Sequence, residues 1–231
     1  GSSKELINSS LYEIEKDISN LEEEVSTFPV FYQDSLDSSL NLDDIKQKIT
    51  SLRLAYQNAS SEEEYNAIVE EIVGLKVPDG IAKSRSAQDI TLFSGPDYVN
   101  LPVIQKIGGG NYSSNKEEDY INAVLLWKQE NLETKVDFNE FSGRYSGYIE
   151  PITKIFEISV DEKKDIPYDY YLIIPELEGF HTDSEFNVES GYVYINLKED
   201  KFVSFSTTED VDFTNLPVFI SPAISRLTII D

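Results

Sequence analysis

The sequence predicts an α+β protein: an N-terminal antiparallel helical bundle or hairpin followed by a C-terminal antiparallel β-sandwich. Three observations carry that expectation. Apolar residues recur at heptad spacing over the first third, the pattern switches to β-branched and aromatic runs from Val136 onward, and Pro and Gly punctuate the stretch between. Residues 4–76 are then the bundle, 77–135 a connector with short strands and one helix, and 136–231 the sandwich.

The first helix is read from Ile7, Leu11, Ile14, Ile18, Leu21, Val25 and Phe28, spaced alternately four and three apart and stopped by Pro29. After a Ser- and Asp-rich connection, Leu42, Ile45, Ile49, Leu52 and Tyr56 repeat the spacing. A third helix opens at Ser61-Glu62-Glu63-Glu64, where a Ser cap and a Glu three residues later form a capping box, and continues through Tyr65, Ile68, Ile72 and Leu75. Each helix has one apolar stripe and a charged back, so the stripes can be buried against one another. The same heptads would also let helices pair between chains, giving an oligomer.

Pro78, Gly80, Gly95, Pro96 and Pro102 break the connector, which leaves short strands at Ile90–Phe93 and Val103–Ile107. Lys116–Asn131 returns to a helix with Tyr120, Ile121, Val124, Leu125 and Trp127 on its apolar side. In the last third, Val193, Ile195 and Leu197 alternate with Tyr192, Tyr194 and Asn196. The polar turn Lys198–Lys201 leads into Phe202, Val203 and Phe205, which predicts a β-hairpin with a four-residue loop. Further strands are expected at Ile152–Val160, Tyr170–Ile174, Val218–Ile220 and Leu227–Ile230.

The stretch KIFEISVDEKKDIPYDYYLIIPEL, Lys154 to Leu177, is a strand, an acidic turn, an Ile-Pro and a second strand. It resembles immunoglobulin-like modules of membrane-anchored surface proteins in archaea and bacteria. That resemblance covers about the last 90 residues of the chain, implies an ectodomain, and assigns no functional residue.

Charge narrows the partners. With 43 acidic against 19 basic residues the formal net charge is −24, which excludes a phosphate-binding basic face for nucleic acid and disfavours direct contact with an anionic membrane. Cysteine and methionine, the side chains most open to oxidation, are both absent, which fits an extracellular or cell-envelope setting. The chain opens Gly1-Ser2-Ser3 without an initiator methionine, which leaves room for a signal or membrane anchor outside these residues.

Candidate sites are few. Gly108 and Gly110 precede a helix, yet Ser113 stands where a dinucleotide loop needs its third glycine, and Glu117, Glu118 and Asp119 would repel a phosphate at the helix start. That loop is expected to be a turn and cap. His181 is the only histidine and lies in a polar stretch without a Gly-x-Ser-x-Gly elbow. Clustered loop oxygens suit calcium, a hard cation, and Asp210, Asp212 and Asn215 are the expected ligands, with Asp161, Glu162 and Asp165 as a second cluster. Tyrosines 145, 148, 168, 170, 171, 192 and 194 lie in or beside strands, where they would either pack or meet a protein or carbohydrate partner. Asn8, Asn58 and Asn111 open glycosylation sequons.

The function these features favour is a non-catalytic extracellular module of a cell-surface or envelope protein, a spacer, adhesion or assembly element with no catalytic residue and no cofactor beyond calcium. The alternatives are a secreted hydrolase of polysaccharide or peptide using acidic residues, for instance Glu176 with Glu178 or Asp210 with Asp212, and an intracellular partner-binding protein.

Overall fold

The structure, a computed structural model, describes residues 2–230. Helices come first and antiparallel strands in two sheets follow, the α+β order expected from the sequence. The chain divides into two compact units, Gly1–Ser84 with Glu140–Thr153, and Arg85–Asn139 with Lys154–Asp231.

The first unit is mainly helical, with α1 (Ser2–Val25), α2 (Val30–Leu40), α3 (Leu42–Asn58) and α4 (Glu62–Val73), and adds strand residues within 80–84 and 140–153. The heptad residues Ile7, Leu11, Ile18, Leu21 and Val25 are buried where α1 packs on α2, α3 and α4. Between α1 and α3, Glu15 meets Arg53 at 2.7 Å and Glu22 meets Lys46, pairs half in solvent that contribute little to stability. The serine half of the capping box forms: Ser61 Oγ accepts from the Glu64 backbone N–H at 3.2 Å, and the Glu64 carboxylate accepts from the Ser61 hydroxyl.

Helix α2 lies where a connection was expected. Its Ser and Asp content suppresses intrinsic helix propensity. The buried pairs Phe31–Tyr32 and Ser35–Leu36, followed by Leu40, nevertheless recur at a helical period. Asn41 ends it in the left-handed conformation (φ 56°), a state open to Asn, and its N–H reaches Asp37 O.

The second unit contains most of the sandwich. The strands are β1 (Gly80–Ile90), β2 (Leu132–Tyr145), β3 (Tyr148–Glu162), β4 (Tyr170–Pro175), β5 (His181–Thr182), β6 (Asn187–Glu189), β7 (Tyr192–Asn196), β8 (Phe202–Thr207) and β9 (Phe219–Pro222), and the parts of β1, β2 and β3 within 80–84 and 140–153 belong to the first unit. One sheet has the order β1-β2-β3-β8-β5, the other β6-β7-β4-β9. Phe138, Phe156, Ile158, Val203 and Phe205 of the first meet Leu172, Ile174, Val193, Ile195 and Ile220 of the second in one core.

The expected hairpin at Tyr192–Phe205 does not form. β7 pairs with β4 and β6, while β8 pairs with β3, so residues 197–201 carry the chain from one sheet to the other. The difference is tertiary: Phe205 of β8 stacks on its cross-strand partner Phe156 of β3 and draws β8 into the first sheet, while β7 is paired on both sides in the second. The corner is held by Leu197 N donating to Tyr170 O at 2.8 Å, Lys198 N to Asn196 Oδ1 and Phe202 N to Asp200 Oδ1.

Two helices, α5 (Leu101–Gly108) and α6 (Glu117–Asn131), pack on the second sheet through Val103, Ile104 and Val124 against Ile173 and Phe219. Val103–Ile107 is therefore helical and not a strand. Asn100 Oδ1 caps it by accepting from Val103 N at 3.2 Å, and Pro102 occupies the first turn, where a missing N–H costs nothing. Residues 227–230, also expected as a strand, have no regular structure. Gly109 ends α5 as a turn and cap, and the glycines beside it allow close approach: a Cβ at Gly108 would sit 2.8 Å from Ala223 Cβ, and one at Gly110 would sit 2.9 Å from Ile224 Cβ.

Removing the α4 cap with Ser61→Ala leaves the Glu64 N–H without its side-chain partner. The expected cost is about 1 kcal/mol, read from urea unfolding of the helical unit.

Candidate functional site

The second unit contains a cleft of about 390 Å³ lined by Thr91, Leu92, Phe93 and Ser94, by Val124, Leu125, Lys128 and Gln129 of α6, and by Phe219 and Ile220 of β9. Its front wall is the segment after β1, which has no regular structure and is fixed by specific bonds. Leu92 N donates to Thr134 Oγ1 (3.3 Å), Leu216 N donates to Phe93 O (3.1 Å), and Gly95 N donates to Asn215 Oδ1 (2.9 Å). A segment tied at three successive points holds its shape, and the cleft with it.

The walls are apolar. Leu92, Val124, Phe219 and Ile220 are buried, while Phe93 is 60% exposed at the rim. Four polar side chains, Thr91, Ser94, Lys128 and Gln129, interrupt this surface, and two of them are distinctive. Ser94 is only 7% exposed, and its Oγ makes no hydrogen bond. Lys128 Nζ donates to Leu92 O at 2.5 Å, and its acidity is shifted: burial, then the neighbouring Lys163, hold its pKa below the usual lysine value. Lys163 Nζ itself donates to Gln129 O at 2.8 Å. No carboxylate within ion-pair distance answers either ammonium among the described residues.

The residues expected to bind calcium are placed in three different bonds. Asn215 anchors Gly95. Asp212 Oδ1 accepts from Thr214 N (2.9 Å) and Oγ1 (2.6 Å), and these bonds hold its carboxyl below the ordinary range. Asp210 is largely exposed, with Arg85 Nη2 at 3.8 Å. Among the described residues no three His, Cys, Asp or Glu side chains are grouped to hold a metal ion.

The second acidic cluster is partly brought together, around a lysine. Lys198 Nζ lies 2.8 Å from Glu162 Oε1 and 4.0 Å from Asp165 Oδ1. Burial opposes ionisation of Glu162, but Lys198, Lys201 and the neighbouring Tyr170 outweigh it and hold the carboxyl below its ordinary value. The fully buried Tyr170 phenol is pushed well upward by burial and by the Glu162 charge.

His181 is half-buried in β5 opposite Ser206 of β8. Of the strand tyrosines, Tyr171, Tyr192 and Tyr194 pack beneath α5 and α6, Tyr168 takes a hydrogen bond from Trp127 Nε1 at 3.0 Å, and Tyr148 is exposed. In the helical unit a cleft of about 490 Å³ is lined by Glu22, Asp37, Asp43 and Lys46 among others. Burial, then Asp34, Asp43 and Glu22, raise the Asp37 carboxyl against the pull of Lys46.

Sequence reasoning singled out neither Lys128 nor Ser94. The available signal was an uncharged, Gly- and Pro-flanked TLFSG segment next to a strand, together with a lysine on the border of a helix's apolar side.

No protein family, curated protein or solved structure matches the chain.

Two substitutions test these bonds. Asn215→Ala frees Gly95 N and should cost about 1–3 kcal/mol of unfolding free energy. Lys198→Met should cost a similar amount at neutral pH, because the Glu162 carboxylate loses its charge partner. Since Glu162 titrates lower when folded, the pair's stabilisation is present above the unfolded carboxyl pKa and is lost as pH falls through the folded value. The midpoints of wild type and Lys198→Met should therefore converge below about pH 4.

Proposed function

We propose that the chain is a non-catalytic module of a cell-surface or cell-envelope protein, with the cleft of the sandwich unit as its binding surface and the helical unit as spacer or assembly element. The observation that supports this most is the cleft's chemistry: mostly apolar walls, one lysine, three neutral polar side chains and no carboxylate. Such a composition suits holding and orienting a ligand. Hydrolysis by acidic residues would need two carboxyl groups flanking the scissile bond, and acyl transfer needs a nucleophile bonded to its base. Here Ser94 Oγ has no hydrogen-bond partner, and Lys128 Nζ is bonded to the Leu92 carbonyl.

The absence of cysteine and methionine favours an oxidising location, and the immunoglobulin-like resemblance of Lys154–Leu177 points the same way. No described helix is long and apolar enough to cross a membrane. The net charge of −24 favours protein or carbohydrate partners over nucleic acid. In the helical unit the α1 seam is filled by α2, α3 and α4 of the same chain, which favours a spacer over a coiled coil between chains. Calcium, bound at the Asp210–Asn215 loop, would act as a structural ligand.

The test combines turnover and mass. Incubation with peptide and polysaccharide libraries should release no product, and sedimentation should give one chain's mass with or without calcium. Turnover that disappears in Asp37→Asn, which removes the raised carboxyl of the helical cleft, would favour the secreted hydrolase instead. A thermal midpoint that rises with calcium in wild type but not in Asp212→Asn would locate the ion, since a ligand of the folded state alone must stabilise it.

A further inference from the structure

Lys128 is a cation in a mostly apolar cleft of a chain that has 43 acidic residues, and among the described residues no acid reaches it. Its one described hydrogen-bond acceptor is a neutral carbonyl, Leu92 O, and the nearest charge acting on it is a second lysine, Lys163. An ammonium has three donors. With one donated to Leu92 O, two remain for a group that enters the cleft. Ser94, whose Oγ is buried and without a hydrogen-bond partner, is a second donor among the lining residues. A desolvated charge and an unsatisfied buried hydroxyl each cost free energy unless something completes them. One anionic group would complete both.

The remaining lining restricts what carries that anion. Leu92, Val124, Phe219 and Ile220 offer hydrocarbon contact, and Phe93 stands over the rim. A volume of about 390 Å³ lies near the lower end for ligand cavities, which run from about 300 to 1,000 Å³. We infer that this cleft binds a small apolar carboxylate, its carboxylate held by Lys128 Nζ and Ser94 Oγ and its hydrocarbon chain against Leu92, Val124, Phe219 and Ile220. A polyanion such as a nucleotide fits poorly, because Lys128 is the one charged residue in the lining. The assignment rests on the reading of the cleft as a binding surface, and gives that surface a ligand class.

Calorimetric titration of the whole chain with decanoate and with decanol separates the contributions. Decanoate should bind one site saturably. Lys128→Met keeps the aliphatic stem but removes the charge, and should weaken decanoate by roughly tenfold or more while leaving decanol unchanged. Ser94→Ala should weaken decanoate several-fold without lowering the thermal midpoint, because the hydroxyl it removes has no partner to lose. Val124→Trp should block both ligands by filling the cleft.

Absence of saturable decanoate binding at millimolar concentration would overturn the inference, as would equal affinity in wild type and in a folded Lys128→Met. A short acetylated peptide ending in a Leu carboxylate that binds more tightly than decanoate would overturn it in favour of a protein C-terminus. None of these results produces turnover of the peptide and polysaccharide libraries, so failure here is distinguishable from failure of the non-catalytic reading.

Discussion

A row of six phenylalanines crosses the sandwich unit, and the rest of that unit is arranged around it. Phe213 stacks on Phe138 at 4.8 Å, Phe138 meets Phe156 at 5.0 Å, Phe156 stacks on Phe205 at 5.0 Å, and Phe180 and Phe186 continue the row. Phe156 and Phe205 are direct cross-strand partners, so the row pins the register of β3 against β8. A one-residue slip would turn these rings out of the core. The ends of the row matter as much as its middle. Phe213 belongs to the loop that contains Asn215, and Asn215 anchors Gly95 beside the cleft wall. The shape of the cleft therefore depends on a ring stack that does not line it.

The same constraint decides the path of the chain. Once Phe205 takes its place between β3 and β5, β8 has neighbours on both sides and no room to pair with β7. The connection at 197–201 must then cross between sheets, and Leu197 is drawn fully into the core at the crossing. Lys198, next in sequence, emerges at the surface beside Glu162 and fastens the corner to the end of β3. A four-residue polar turn between two apolar runs is compatible with a hairpin and with a corner alike. What separates the two is the partner each strand finds, β3 and β5 for β8 and β4 and β6 for β7, and that choice is tertiary.

Legibility in the sequence follows the range of the interaction. The heptads of α1 and α3 and the cap of α4 are set within a few residues, and they are found where the pattern places them. Helix α2 was obscured because serine and aspartate weaken propensity while Phe31, Tyr32 and Leu36 stabilise it through burial. Helix α5 was legible in principle: Asn100 followed by Pro102 is a start signal, overlooked beneath a β-branched run. The cleft was not legible, since Thr91–Ser94, Val124–Gln129 and Phe219–Ile220 are joined only by the fold.

Acidic residues were the natural place to look for chemistry in a chain of this charge, and their abundance is what made them uninformative. With 43 of them, clusters arise in any loop, and those at Asp212 and Glu162 are used to accept bonds from Thr214 and Lys198. The informative charge is the rarer sign in an unusual place. A basic residue on the outside of a strongly acidic protein finds a carboxylate easily, as Lys46 and Arg53 do on the helical unit. Lys128 has none among the described residues, although its partial desolvation makes a counter-charge more valuable there than at the surface. Acids kept away from a half-buried cation leave its field available to an incoming anion, and the mostly apolar walls then determine which anions can exploit it.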